Sequence, residues 1–281
     1  MRKRIIIVLL LASVVGFAQQ PSTADEQGAA LSVRTQHYLD LFLRPDVCGT
    51  SIATEKIPRF IRDLENKKSV FKNDKDFLHY LFQKTHRKFL RHYKDYCTFD
   101  DLLNEETYNC LTGTALYALL LDHFDVAYEI VETNYHIFLM IKSTEGDLLF
   151  EATDEENGFV DSPIDIENRT NKYKALQPIA GRKICYRYAF EFFNTINLEA
   201  LVGLMYYNLS VDAYNNRMFS ASIYYLDQAT RFYQTERTEE FSRIILHRII
   251  QTTFLNKNEK EAYLKNLLSI RKKNFALASI D

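Results

Sequence analysis

The sequence predicts an α+β protein, with helices packed on an antiparallel sheet and a C-terminal helical module behind them. Three observations carry this expectation. Apolar residues recur at helical spacing ahead of a central stretch; inside that stretch "VAYEIVET", "YHIFLMIK" and "DLLFEATD" alternate as strands do; and from Asn197 onward the helical period returns. The 281 residues, 47% hydrophobic and 14% aromatic, suffice to bury one sizeable core or two modest ones, which argues against disorder.

The chain opens with "MRKRIIIVLLLASVVGFAQQ", a basic start followed by a short apolar run and then small residues. That is the layout of a secretory signal peptide, expected at residues 1–18 with cleavage after Ala18, and the run is short of the roughly 20 residues that span a bilayer. Losing Arg2, Lys3 and Arg4 leaves 32 basic against 37 acidic residues, a mature charge of about −5. With no strongly basic block and no second long apolar run, nucleic acid is excluded as an evident partner and no stable membrane insertion is expected once the signal is removed. The expected location is exported, periplasmic or secreted.

Helices are expected at 36–43 and 56–64 around the "RPDVCGT" turn, then at 74–93 after an Asn73 or Asp74 cap. "CTFDDLLNEETYN" breaks the helical pattern before a helix at 110–124. Two strands joined by the "STEG" turn follow, and residues 154–182, polar and holding two of the five prolines, read as a long loop. The expected division is 19–196 for the α+β domain and 197–281 for the helical module. In that module one helix ends near Asn215 and a second, from Met218, carries the stripe Phe219, Ser222, Ile223, Leu226, Ala229 and Phe232. The small Ser222 and Ala229 predict a closely packed antiparallel pair, a unit resembling a tetratricopeptide repeat, with further helices at 238–255 and 258–270 stacked on it.

Chemistry points to "YNCLTGTALYALLL". Cys110 stands where a helix begins, so unpaired N–H groups and the positive dipole end favour a thiolate there. His136, on a strand face with Phe138 and Met140, is placed to accept the thiol proton and return it to a leaving group. Two acids compete to orient the imidazole, Glu151 and Asp154. If "STEG" is a four-residue loop, Lys142 faces Asp147 and His136 faces Thr153, which puts Glu151 two along on the histidine's face; an odd loop would select Asp154. Even loops are the commoner hairpin connections, and Glu151 is preferred. The four cysteines, Cys48, Cys97, Cys110 and Cys185, permit disulfides in an exported chain, and the most economical bridge is Cys48 with Cys97, leaving Cys110 free. His79, His86 and His92 read as a polar helix flank, and no metal cluster, nucleotide loop or haem motif is legible, so no metal and no cofactor is implied.

"YNCLTGTALYALLL", followed by "ETNYHIFLMI" and "LLFEATD", resembles the core of the transglutaminase-like superfamily over about residues 70–160. That resemblance implies a papain-like fold with Cys on a helix and His and Asp on successive strands. In the family the acid stands in an Asp-Pro-Thr triplet about fifteen residues after the histidine; here "EAT" occupies that place, so the role passes to Glu151 with glutamate replacing the usual aspartate. The tail "LEALVGLMYYNLSVDAYN" is similar to a subgroup, often of exported bacterial proteins, in which tetratricopeptide-like helices follow the core.

The implied function is a thiol hydrolase, protease or amidase in type, with Cys110 as nucleophile, His136 as proton shuttle and Glu151 as orienting acid, acting on a peptide or protein substrate through a thioester. The alternative is a catalytically weak or inactive relative whose helical tail holds a peptide or protein partner, for which the aromatics Tyr206, Tyr207, Tyr214, Tyr224, Tyr225, Phe232 and Tyr233 are the candidates.

Overall fold

The structure, a computed structural model, describes residues 31–44, 51–175, 193–253 and 255–278. The proposed signal segment, Cys48, Cys185 and most of the "RPDVCGT" turn lie outside the described residues. Helices α1 (Val33–Leu43), α2 (Ser51–Lys68), α3 (Asp74–Phe89) and α4 (Phe99–Glu105) precede α5 (Cys110–His123), with the short parallel strands β1 (His92–Tyr93) and β2 (Thr107–Tyr108) between them. Then come β3 (Tyr128–Thr133), β4 (Ile137–Ile141), β5 (Leu148–Phe150), β6 (Phe159–Val160), α6 (Pro163–Ala175) and β7 (Phe193–Ile196). The chain closes with α7 (Leu198–Asn215), α8 (Phe219–Phe232), α9 (Glu236–Gln251) and α10 (Lys257–Ala278). The result is mixed helical with a fully antiparallel five-stranded sheet in the order β6-β5-β4-β3-β7.

Helix α5 is the pivot because every residue from Leu111 to Leu121 is buried. A helix apolar all round is stable only when surrounded. It packs against α1, α4 and α7 and against β3 and β4. One sheet face, with Ile130, Leu139, Ile141, Leu148 and Phe150, joins this core. The other face, with Val131, Phe138, Leu149 and Val160, is covered by Ile166 and Tyr173 of α6. The boundary expected at 196/197 falls between β7 and α7, yet one apolar core runs through both sides of it, from Leu39 to Ile270.

Several sequence expectations change. Helix α3 stops at Phe89 and His92 enters β1, which hydrogen-bonds the strand leading to Cys110. "CTFDDLLNE" holds α4, started by a reciprocal Thr98–Asp101 capping box, and the expected 154–182 loop holds β6 and α6. His86 is no polar flank; it is buried, with Nε2 donating to the Ala152 carbonyl at 3.1 Å. Cys97 is a free thiol 3.5 Å from Thr112 Oγ1, and Cys48, its expected disulfide partner, lies outside the described residues.

The helix pair behaves as its small residues demand. Ser210 and Ser222 exchange hydrogen bonds, each hydroxyl donating to the other's carbonyl at 2.6 and 2.9 Å. One end of the pair closes at Gly203, where a Cβ would stand 2.5 Å from Tyr233 Cβ and 2.9 Å from its backbone nitrogen. Most of the tail's aromatics serve this packing: Tyr206 stacks on Phe232, and Tyr207 and Tyr214 meet Phe241 edge-on, while Tyr224 is exposed.

Candidate active site

Cys110 is the first residue of α5. Its placement is set by Asn109, whose side chain accepts from Thr112 N at 2.9 Å while Thr112 Oγ1 accepts from Asn109 N at 3.0 Å. This reciprocal cap fixes the entry angle and leaves the first-turn N–H groups, Cys110's included, without intrahelical acceptors. From behind, Lys94 N donates to the Tyr108 carbonyl at 2.9 Å, so β1 pins the approach to the thiol. Cys110 is half-buried.

His136 immediately precedes β4. The turn from β3 is closed twice at it, by Thr133 N donating to the His136 carbonyl at 2.8 Å and by His136 N donating to Thr133 Oγ1 at 3.0 Å. The next hairpin settles which acid it meets. Leu139 pairs with Phe150 and Ile141 with Leu148, and one step further Lys142 bonds Asp147 at 2.8 Å across a turn closed by Gly146 N on the Ser143 carbonyl. That is the even register, and it sets Glu151 on the face of His136. Gly146 takes φ of +119°, a conformation open to glycine.

His136 Nε2 is hydrogen-bonded to Glu151 Oε2, and the Cys110 side chain stands near enough to the same imidazole to raise its pKa. With Nε2 engaged by the carboxylate, Nδ1 is the nitrogen left for sulfur. Asp154 is elsewhere, paired with Arg169 at 3.1 Å. Glu151 is 2% exposed and its carboxylate is fully engaged. Oε1 accepts from Thr153 N at 3.0 Å and Thr153 Oγ1 at 2.7 Å, and Oε2 accepts from Tyr173 Oη at 2.7 Å besides His136. Close packing delivers this segment to the helix. At Gly113, in the first turn of α5, a Cβ would stand 2.8 Å from Ala152 Cβ, and at Gly158 one would collide with the carbonyl oxygens of Glu151 and Asp154.

Burial works to lower the His136 pKa, but Cys110 and Glu151 outweigh it and raise the group to about 10. Burial works to raise that of Glu151, and His136 and Thr153 override it, holding the carboxyl below its ordinary value. Cys97, by contrast, is pushed up by burial to about 11 and is an inert thiol. A histidine held at about 10 when folded and 6.5 when unfolded contributes its full stabilisation below pH 6.5 and loses it as the pH climbs to about 10. Glu151, held low, contributes above 4.5 and loses its contribution as pH falls through its folded value. Thermal unfolding of the wild type and a His136→Ala variant is therefore expected to show a melting-temperature gap that narrows steadily between pH 6.5 and 10.

The structure brings Glu151 onto His136 with Cys110 beside them, and adds Thr153, Tyr173 and the Asn109 cap, which sequence reasoning missed. Tyr173 had a signal in "DSPIDIENRTNKYKA", where Ser162 stands before Pro163 and Asp165, a helix start that places Tyr173 three turns along. Among the described residues no group of three or more His, Cys, Asp or Glu is placed to hold a metal, and no helix is long and apolar enough to cross a membrane. Comparisons with protein-family models, with curated proteins and with solved structures find no match to this chain.

Proposed function

We propose that this chain is an exported thiol hydrolase of the transglutaminase-like superfamily with a papain-like core, cleaving a peptide or amide bond through a Cys110 thioester. The observation that carries the reading is one imidazole, that of His136, bonded to the Glu151 carboxylate and standing beside the Cys110 side chain. A thiol on the first turn of a buried helix, with the histidine and the acid on neighbouring antiparallel strands, is the arrangement the sequence resemblance implies. The basic and then apolar opening of the sequence supports export.

In this reading the Cys110 sulfur attacks the carbonyl carbon while His136, as imidazolium, balances the thiolate. The oxyanion forms beside the first-turn N–H of Cys110. Collapse breaks the carbon–nitrogen bond, and the His136 proton passes to the departing amine. Water, deprotonated by the now neutral His136, attacks the thioester; a carboxylic acid leaves and the sulfur is regenerated. Glu151 keeps the ring aligned throughout and stabilises its charged form.

The test uses the mature chain with a mixture of peptides, read by mass spectrometry for new termini in ¹⁸O-labelled water. Cleavage with ¹⁸O entering the new carboxylate, lost in Cys110→Ala by a factor of about 10² or more, is the expected result. Amine incorporation in place of water would redirect the reading to crosslinking. Absence of turnover, with peptide retained equally by wild type and Cys110→Ala, would replace it with the binding alternative.

A further inference from the structure

We infer that Tyr173 is a fourth member of the Cys110–His136–Glu151 relay, a positioning residue on α6 that sets the pH range over which His136 keeps its proton. The inference rests on the thiol-hydrolase reading of this site. Its geometry is specific. The Tyr173 hydroxyl donates at 2.7 Å to Glu151 Oε2, the same oxygen that accepts from His136 Nε2, while Thr153 occupies Oε1 twice. One carboxylate oxygen is thus shared between the imidazole and the phenol. A donor that draws on the charge of Oε2 makes it a weaker acceptor for the imidazolium, so the phenol tempers the hold of Glu151 on the histidine.

The ring contributes separately from the hydroxyl. Its centroid lies 4.7 Å from that of His136 and 5.1 Å from that of Phe138, so the phenol ring packs on both and closes part of the imidazole surface to water. One turn earlier on the same helix, Arg169 stands near enough to lower the Tyr173 pKa and pairs with Asp154 at 3.1 Å. Residues four apart share a helix face, so α6 presents both groups to the acid end of the site. The extra methylene of glutamate over the aspartate of the resembled family gives this clamp a physical purpose. A longer carboxylate has one more rotatable bond to fix, and Thr153 and Tyr173 fix its two oxygens from opposite sides.

The sign of the effect distinguishes this role from a purely structural one. Tyr173→Phe keeps the ring and removes only the donor, leaving Oε2 wholly to His136. The histidine is then expected to keep its proton to higher pH, by about half to one unit, the scale of one shared hydrogen bond to a charged group. A merely loosened site would shed the proton at lower pH.

The experiment measures alkylation of Cys110 by iodoacetate and by iodoacetamide from pH 5 to 11, with peptide mapping to separate it from the other cysteines. The ratio of the two rates cancels the thiolate fraction and reports the imidazolium, which attracts only the anionic reagent. The wild-type ratio is expected to fall as His136 loses its proton, His136→Ala to be flat and low, and Tyr173→Phe to fall at higher pH. Titration of the His136 ring by NMR in Tyr173→Phe gives the same midpoint without any labelling step. An unmoved or lowered midpoint, with the wild type still differing from His136→Ala, would overturn the role of Tyr173 and leave the hydrolase reading standing. A flat ratio in the wild type would overturn both.

Discussion

Replacement of His136 by alanine is expected to slow iodoacetamide labelling of Cys110 at pH 6 by about 30-fold or more, because the sulfur loses the cation beside it that favours the reactive thiolate. In the wild type the imidazole is protonated well above pH 6, with burial opposing its charge and Cys110 and Glu151 overcoming that opposition. A protonated ring beside the sulfur stabilises the thiolate by its charge, and the dipole of α5 adds to it. The variant retains the helix position but loses the counter-ion, which separates the two contributions. The result should be selective within the protein: Cys97, buried beside Thr112 and pushed up to about 11, is expected to label slowly in both proteins. Equal Cys110 rates in wild type and variant would show that the helix terminus alone governs the thiol, and the relay would then have no chemical content.

The core of that site was legible because short-range physics decides it. An apolar run beginning just past Cys110 puts it at a helix start, and the parity of one hairpin loop chooses Glu151 over Asp154; both depend on residues within a few positions of each other. What was missed depends on distant partners or on weak local signals. Helix α6 has few apolar residues, since it covers a sheet face with little more than Ile166 and Tyr173, so a period count finds nothing although Ser162 and Pro163 mark its start. Strand β7 is a four-residue edge with three exposed residues, too short and too polar to alternate visibly. His86 was misplaced because the group that makes its burial tolerable, the Ala152 carbonyl, lies 66 residues away. The C-terminal helices read as a separate module because the groups that join them to the rest, the apolar residues of α1 and α5 and the Glu132 carboxylate, are far away in sequence.

Those contacts predict the second large effect. Glu132 on β3 is 2% exposed, and Arg237 of α9 places Nη1 3.0 Å from its Oε1, while Tyr233 donates to Oε2 at 2.6 Å. Arg237→Ala strands that carboxylate in the interior with a single neutral donor, at an expected cost of about 3–5 kcal/mol. In a chain of this size that lowers the melting temperature by about 5–9 °C, measured by calorimetry. The same guanidinium donates from Nη2 to the carbonyls of Thr133 and Asn134 at 3.2 and 3.3 Å, so it also braces the turn whose last residue is His136. The two roles separate in the double variant Glu132→Leu with Arg237→Met. Replacing a buried ion pair by apolar residues of similar volume is near neutral or stabilising, so the melting temperature should largely return. The brace on Thr133 and Asn134 does not return with it, and the His136-dependent labelling of Cys110 should stay depressed. Recovery of both would make the ion pair a matter of stability alone; recovery of stability without reactivity would place a residue of the C-terminal helices in control of the imidazole.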